Sequence, residues 1–486
     1  MRIRGWSVVL AGFLLVPGCG GSPGGPSPGV HASGPRRSLD AGAFLPLSVK
    51  GDALIDAEGR QVILRGIEHH SLQDVDHGGR QVEPGDYALI ASWGFTTMRV
   101  AISWSQIEPE RGKYDSAYLD QIGGVLEAAK AAGLTVVLEW HHDLWGRCAI
   151  DPKSSLALSA NGAPDWTCPA GYLPSTTGYR QLFDRLWNND NGLMDAYLAA
   201  WSKVIARFGS HPALLGYDIF NEPAGGLNQP DFEKQQYLPA LHAIVPALRK
   251  QGAKGLLFFD APGVRNESQY MYAEPVAGLD PDIVYAPHLY SGWANLYILE
   301  RPPDPAVKKK DFANAEKEAR TFGVPWWNGE WGVNNNLPSA DADLELHVGL
   351  EDQYRVGSSY WAFEQATSSV GDASISGAQA VLDADRHVRQ DIVDRLSRPY
   401  PIAVPGKLDS LSYDFQAHAL DVKLEADGSN KPAILYAPRR QLGDAICLDV
   451  NGPSGWSWDY HADKQRILVE LPAGAFTLHL ARCAGS

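Results

Sequence analysis

The chain has 486 residues, of which 44% are hydrophobic, and its 42 basic and 57 acidic residues give a net charge of −15. A chain of this length and composition buries a large core, which excludes a disordered protein and leaves room for one large domain beside a smaller one. The acidic balance, with no Lys/Arg-rich run, argues against nucleic acid as a partner.

The first 43 residues predict an export segment followed by a spacer. Residues 1–18 combine two arginines with an apolar run that is too short to span a bilayer, as in a signal peptide. Residues 16–19, "VPGC", resemble the bacterial lipobox, which implies that Cys19 is lipidated; simple secretion is the alternative. Residues 19–43 are rich in Gly, Pro and Ser and predict a flexible linker. We therefore expect an exported protein, either secreted or attached to a membrane of the cell envelope through a lipid anchor.

Residues 44–397 alternate β-branched or aromatic runs with amphipathic helical runs. In the segment 115–133, for example, apolar residues recur at helical spacing, and Gly133 ends the pattern. Strand-like runs begin near residues 62, 96, 134, 214, 255, 282, 325 and 358. Eight βα units predict an α/β protein with a (β/α)8 TIM barrel, whose active site lies at the carboxyl ends of the strands.

Polar residues stand where the predicted strands end. Scattered polar residues would not all fall at one end of the strands, so we interpret these positions as a cleft. They are Glu68, His69, His70, Arg99, His141, His142, Asp143, Asn221, Glu222, Asp260, His288, Tyr290, Glu330 and Trp361.

Two of these residues are carboxylates placed for glycoside hydrolysis. Glu222 and Glu330 end predicted strands four and seven, which puts them on opposite sides of one barrel mouth. Cleavage of a glycosidic bond uses such a pair, one as acid and the other as nucleophile or base. Structural ion pairing of each glutamate is the alternative.

The segment 291–305, "SGWANLYILERPPDP", follows predicted strand six and gathers apolar side chains, including Trp293 and Leu296. Such a set beside a sugar cleft would receive a lipid chain, which makes Trp293 a candidate substrate-binding residue. Packing of a short helix on the barrel is the alternative.

Four cysteines besides Cys19 occur in two local pairs. Export favours disulfides, and the local connectivity joins Cys148 to Cys168 and Cys447 to Cys483. The other two connectivities and four free thiols remain alternatives.

Residues 398–486 change to short alternating strands separated by turn signals, which predict a C-terminal β-sandwich domain. Trp456 and Trp458 would suit a sugar-binding surface there. Because no long linker precedes this domain, we expect a packed accessory domain instead.

The segments "YDIFNEP", "YAPHLY", "NGEWG" and "SYWAFE", with Arg99 in "MRVAISW", resemble glycoside hydrolase family 5, the retaining clan-A barrels. The resemblance covers nearly all of residues 50–395 and implies that Glu222 is the general acid/base and Glu330 the nucleophile. The family's substrate-binding residues correspond to Arg99, His141, Asn221, His288, Tyr290 and Trp361. The strand-end residues that we add as candidate substrate contacts are Glu68, His70, His142 and Asp143.

A narrower similarity, to the endoglycoceramidase group, is carried by "QLFDRLWNNDNGLMDAYLAAW", "GAPDW" and "RPYPIAVPG". It implies cleavage of the bond between an oligosaccharide and ceramide. Those relatives have "MHQD" at strand three where this chain has "WHHD", so Trp140 and His142 depart from the group's pattern.

We therefore expect a retaining β-glycosidase that acts on a glycolipid or oligosaccharide without a cofactor or metal, and no protein partner is evident. An endo-β-glucanase or mannanase acting on polysaccharide is the alternative within enzymes. A non-catalytic carbohydrate-binding protein is the alternative of another class, but it predicts a missing acid or nucleophile. A metal hydrolase remains a further alternative because of the histidines at 69–70 and 141–142.

Overall fold

The structure is a computed structural model. It describes residues 29–73, 83–153, 160–175, 178–225, 231–292, 301, 303–364, 378–383 and 385–483. The predicted signal peptide, Cys19 and Trp293 lie outside these ranges.

Eight parallel strands form the barrel, and all eight were predicted. They are β5 (Arg65–His69), β6 (Thr97–Ser103), β7 (Thr135–His141), β8 (Leu214–Asp218), β9 (Leu256–Phe259), β10 (Ile283–Tyr285), β11 (Asn328–Trp331) and β12 (Ser358–Tyr360). Their order is β10-β9-β8-β7-β6-β5-β12-β11. Parallel bridges from Tyr285 to Trp326 and from His288 to Glu330 join the two ends of this order, which closes the barrel.

Helices follow the barrel strands and cover the outside of the barrel. The longer ones are Pro84–Ser92, Ser116–Ala132, Arg180–Trp187, Leu193–Phe208, Leu238–Lys250, Pro305–Phe322, Ala340–Tyr354 and Gln390–Leu396, and short ones span Trp104–Ile107, Arg265–Ser268 and Arg439–Leu442. The helix Ser116–Ala132 shows how sequence sets the bounds. The Asp115 carboxylate accepts the first free N–H groups, and Gly133 ends the helix at a φ of 74°.

The C-terminal domain is a sandwich of two sheets. One sheet has the order β1-β17-β20-β15-β14, and the other β18-β19-β16-β13-β4-β3-β2. The strands from the C-terminal region are β13 (Tyr400–Val404), β14 (Lys407–Asp414), β15 (Ala419–Ala426), β16 (Ala433–Tyr436), β17 (Ala445–Asn451), β18 (Ser457–His461), β19 (Arg466–Glu470) and β20 (Gly474–Arg482). Buried and exposed residues alternate along β15, as expected for a strand with one face on the core.

Residues near the N-terminus complete both sheets of this domain. The strand β1 (Gly29–Ala32) pairs in parallel with β17, and β4 (Gln61–Val62) pairs with β13. The strands β2 (Ser48–Lys50) and β3 (Ala53–Ile55) extend the second sheet. The expectation of a flexible linker is therefore corrected for residues 29–37, because backbone hydrogen bonds attach them to the sandwich.

The same N-terminal residues cover the tryptophans of the sandwich. The indole N–H of Trp458 donates to the carbonyl of Gly34 at 2.9 Å, and the Arg36 guanidinium lies 5.5 Å from the Trp458 ring centroid. Trp458 is 6% exposed, so it packs inside the domain as the expectation of an accessory domain requires, and offers no open face to a sugar.

The sandwich lies against the amino-terminal end of the barrel, which we call the floor. The Tyr400 and Tyr436 hydroxyls donate to the carbonyls of Gly94 and Ser92, just ahead of β6. Barrel residues such as Leu215 and Phe258 share one buried apolar cluster with Tyr400. The cleft therefore opens at the opposite end.

Two disulfides join Cys148 to Cys168 and Cys447 to Cys483, which confirms the local pairing. Within the described ranges, every helix is too short or too polar to cross a lipid bilayer.

Candidate active site

Glu330 lies in β11 with both carboxylate oxygens occupied by donors. Its Oε1 accepts the Tyr290 hydroxyl proton at 2.7 Å, and its Oε2 accepts from Nη1 of Arg99 at 2.9 Å. Burial raises the pKa of Glu330 above that of a free glutamate, against the opposing effects of His288 and Arg99. The hydrogen bonds from Tyr290 and Arg99 thus hold the Glu330 carboxylate in one orientation.

Arg99 in β6 is completely buried among four carboxylates. Besides Glu330, its guanidinium lies 3.2 Å from Glu68, 2.9 Å from Asp218 and 3.6 Å from Glu139. One cation cannot neutralise four buried anions. Burial raises the pKa of Glu68 well above its usual range and that of Asp218 to about 7, despite Arg99.

Glu222 follows β8 in a left-handed backbone conformation with φ 37°. Its backbone N–H donates to Oδ2 of Asp260 at 2.8 Å. Its Oε1 accepts from Nδ2 of Asn266 at 2.7 Å and from Nδ1 of His288 at 2.9 Å. Left-handed geometry is costly for a residue with a Cβ, and it turns this side chain into the cleft. The Glu222 side chain is 28% exposed, whereas that of Glu330 is 9% exposed.

His288 lies between the two glutamates. Its Nδ1 is 3.7 Å from Oε1 of Glu330, and its Nε2 is 3.0 Å from Oδ2 of Asp260. Burial alone would lower the pKa of His288, but Asp260, Glu330 and the hydrogen bond to Glu222 outweigh it and raise that pKa well above its usual value. The cationic imidazole of His288 therefore lies between Glu222 and Glu330.

The spacing of the two glutamates selects a mechanism. One carboxylate oxygen of Glu222, one ring nitrogen of His288 and one carboxylate oxygen of Glu330 all lie within 4.8 Å of one another. Retaining glycosidases keep their carboxyl groups about 5 to 5.5 Å apart, whereas inverting ones need about 6.5 to 9.5 Å to admit a water. This close approach of the two oxygens fits the shorter spacing of a retaining enzyme.

The same three residues are the only group of potential metal ligands this close together in the part of the chain that is described. The histidines at 69–70 and 141–142 do not form such a group there. The expectation of a metal-free reaction stays a prediction.

Aromatic rings form one wall of the cleft around Trp361. The rings of His70 and His141 stack on Trp361 at centroid distances of 5.0 and 5.6 Å. Burial lowers the pKa of His70 to about 3, so its ring is neutral, and neither of its nitrogens has a protein partner among the described residues. Burial alone would lower the pKa of His141, but Glu139 and Asp143 outweigh it, so that pKa is well above its usual range.

Asp143 joins His141 to the loops around the cleft. Its Oδ2 lies 3.2 Å from Nε2 of His141 and accepts from the side-chain amides of Gln73 and Asn161, both at 3.0 Å. The Asp143 side chain is 37% exposed, and Asp143 therefore faces the open cleft.

Two candidate substrate contacts lie among protein groups, and their contact with a substrate stays a prediction. Glu68 is completely buried, and its Oε2 accepts from Nη1 of Arg99 at 3.2 Å. His142 is 5% exposed and packs between Phe220 and Phe183 at centroid distances of 4.3 and 5.1 Å, facing an aromatic cluster.

The remaining predicted residues come together around the two glutamates. Asn221 accepts from Nη2 of Arg99 at 3.1 Å and donates to the His142 carbonyl at 3.2 Å. Its contact with a substrate stays a prediction, as do those of His70, His141, Asp143, Tyr290 and Trp361.

Four residues of the site were not predicted as functional. Glu139 and Asp218 precede predicted residues on their strands, and strand alternation could have placed Glu139 on the same face as His141. Gln73 lies in the turn after β5 and Asn266 in the short helix Arg265–Ser268 after β9, where no sequence pattern marks them.

Comparisons with known proteins agree with this geometry. Residues 55–367 match Cellulase (glycosyl hydrolase family 5), and residues 398–478 match the glycoside hydrolase family 5 C-terminal domain. Endoglycoceramidase I of Rhodococcus hoagii is 24% identical over 438 residues, which cover 84% of this chain and 82% of that protein. Endoglycoceramidase of Cyanea nozakii is 22% identical over 455 residues, which cover 82% and 85%.

Among solved structures, endo-glycoceramidase II from Rhodococcus sp. in complex with ganglioside GM3 superposes with a TM-score of 0.74 at 26% identity. The match covers 90% of this chain and all of that one. A family match over most of the chain, together with two facing glutamates at the mouth of a barrel, places this protein in glycoside hydrolase family 5.

Proposed function

We propose that this protein is a retaining β-glycosidase that releases the glycan of a glycolipid from its lipid, as endoglycoceramidases do. The observation that carries the proposal is the close pair of Glu222 and Glu330, whose oxygens approach within 4.8 Å. The similarity to endoglycoceramidases along most of the chain supports the glycolipid as substrate.

The reaction proceeds in two displacements. Glu330 attacks the anomeric carbon while protonated Glu222 gives its proton to the leaving oxygen, so the glycosidic bond breaks and a glycosyl ester forms on Glu330. A water then gives a proton to Glu222 and its oxygen to the anomeric carbon, which releases Glu330. Arg99 and Tyr290 hold the nucleophile in place through both steps.

Apolar surface near the acid side supports a lipid leaving group. Because Glu222 protonates the leaving oxygen, the lipid must lie on its side of the cleft. Val264 and Tyr270, each 53% exposed, flank the short helix Arg265–Ser268, whose Asn266 contacts Glu222. They are two of the three large hydrophobic residues that are exposed among the described residues. The predicted lipid contact of Trp293 remains part of this proposal.

Hydrolysis of glycosylceramides compared with soluble β-glucans tests the substrate class. We expect release of sugar from glycosylceramide, and a Val264→Ser, Tyr270→Ser double variant should lower that rate roughly tenfold through lost apolar contact. A soluble aryl glycoside of the same sugar, which has no lipid chain, should be cleaved equally by both proteins. Release from β-glucan without release from glycosylceramide would instead favour the polysaccharide enzyme.

We also propose that the protein is exported, as a secreted protein or as a lipoprotein modified at Cys19. Its two disulfides support export, because such bonds persist in oxidising compartments. The first 19 residues add the signal-like pattern and the cysteine.

A further inference from the structure

The two oxygens of the Glu222 carboxyl group have different surroundings. Oε1 accepts from both Asn266 and His288, at 2.7 and 2.9 Å. Among the described residues, no protein donor is bonded to Oε2. Since two N–H groups already point at Oε1, a proton carried by Glu222 belongs on Oε2. The acidic oxygen and the hydrogen-bonded oxygen are therefore distinct atoms.

Gly263 leaves the space that Oε2 occupies. A Cβ added at Gly263 would lie 2.9 Å from Oε2 and 3.4 Å from the Glu222 Cβ. Gly263 is not one of the glycines with positive φ, so its backbone conformation is open to any residue. What this position requires is the absence of a side chain beside the acidic oxygen.

Buried ion pairs fix the segment that carries Gly263 and Asn266. Arg265, between them, is 1% exposed and lies 2.7 Å from Asp311 and 2.9 Å from Glu318, both on the helix Pro305–Phe322. The Asn266 carbonyl accepts the Gly292 N–H at 2.8 Å. The Asn266 amide is thus held on a rigid support while it contacts Glu222.

We propose that Asn266 is a positioning residue for the proton transfers of this enzyme, and that Gly263 is the small residue which that arrangement requires. Asn266, together with His288, keeps Oε1 occupied, so that Oε2 delivers the proton to the leaving oxygen when the glycosidic bond breaks. The same oxygen takes a proton from water when the ester on Glu330 is hydrolysed. The inference rests on the proposed double displacement but not on the identity of the lipid.

Leaving-group dependence separates this role from a structural one. We would measure kcat/KM of Asn266→Leu, which keeps the side-chain size and removes the donor, on phenyl and 2,4-dinitrophenyl β-glycosides of one sugar. Phenolate needs protonation to leave and dinitrophenolate does not. A general acid contributes roughly 10²- to 10⁴-fold, so we expect a loss of about tenfold or more on the phenyl glycoside and under about threefold on the dinitrophenyl one.

Asn314→Ala is the matched control. The Asn314 amide bonds the carbonyl of Gln269 in the same segment without touching Glu222. This variant should act as the wild type on both substrates. Gly263→Ala, which crowds Oε2 directly, should repeat the pattern of Asn266→Leu, with a melting temperature near that of the wild type.

Equal losses on the two aryl glycosides, or no loss on either, would overturn the inference. If Asn266→Leu fails to fold, Gly263→Ala decides between the outcomes. A wild type that cleaves aryl glycosides but no glycolipid would refute the proposed lipid substrate and leave this inference standing.

Discussion

The two catalytic glutamates are held by neighbours of different kinds. Glu330 is bonded to a guanidinium and a phenol, and its side chain is 9% exposed, as a group that must stay oriented toward one carbon requires. Glu222 is more exposed and keeps one oxygen without a protein donor among the described residues, as a group that must gain and lose a proton requires. Their environments therefore follow their chemical tasks.

Alanine variants of these residues should differ by substrate. Glu330→Ala should abolish hydrolysis, because no ester can form, and azide should restore turnover through the space left by the carboxylate. Glu222→Ala should retain most of its kcat/KM on a dinitrophenyl glycoside, since that leaving group needs no proton, while kcat falls because hydrolysis of the ester on Glu330 lacks its base. Steady-state rates of the two variants, measured with and without azide, check both predictions. Identical behaviour of the two variants on the activated substrate would refute the assigned roles.

Single residues of the site were predictable only where a motif marks a strand end. Glu222 and Glu330 were predicted because apolar strands end at these residues, and closure of the barrel places them close together. The left-handed backbone at Glu222 and the hydrogen bond from Asn266 to Glu222 were not predictable. Asn266 lies in the segment after β9, and no periodicity in the sequence links that segment to Glu222. The burial of Glu68 was missed for a related reason: strand ends alternate between the cleft and the layer beneath it.

At the scale of elements, a buried side chain ties the end of β12 to the end of β5. The Glu364 carboxylate accepts the backbone N–H groups of His70 and Ser71 at 3.2 and 3.0 Å. Burial raises the pKa of Glu364 to about 8 against these bonds. Its protonated form therefore persists in the folded protein at a pH where an unfolded chain has released that proton.

This link should make stability depend on pH. Between about pH 4.5 and 8 the folded state binds a proton that the unfolded state lacks, so the contribution of Glu364 to the free energy of unfolding falls as pH rises. The slope is at most about 1.4 kcal/mol per pH unit. Glu364→Gln keeps a neutral acceptor and removes this dependence, so it should gain stability relative to wild type from pH 5 to pH 8. If the urea-unfolding midpoints of the two proteins changed by the same amount over that pH range, the prediction would be wrong.

The barrel strands were predictable as elements because each is a short apolar run with a clear boundary. The pairing of β4 with β13 was not, because β13 lies far along the chain and local sequence carries no register with it. Residues 29–32 were interpreted as linker for the same reason. Their low hydrophobicity hides a strand whose stability comes from backbone bonds to β17.

In the whole molecule, barrel and sandwich form one continuous structure. The chain passes between the two domains twice, at residues 62–65 and 398–400. Arg398 is buried in ion pairs with Glu351 and Asp352 of the barrel. Arg65, at the start of β5, also pairs with Asp352 at 2.7 Å. Neither part keeps its buried charges satisfied without the other.

A chain truncated after Ser397 should therefore fail to fold. It would leave β4 without β13 and expose the apolar floor of the barrel, including Leu215 and Phe258. We expect the fragment to be insoluble, while the full chain gives one cooperative transition by calorimetry. A soluble fragment that hydrolyses aryl glycosides, or two separate transitions in the full chain, would show that the domains are independent.

The attachment of residues 29–32 to β17 of the sandwich bears on how the enzyme would face its surroundings. β1 pairs with β17 in the sandwich domain, which lies at the floor of the barrel, opposite the cleft. An anchor at Cys19 would hold the protein by that end, with the barrel mouth directed away from the anchoring membrane. In that orientation the enzyme would reach glycolipids carried by micelles, vesicles or a facing cell more readily than those in the bilayer to which it is fixed.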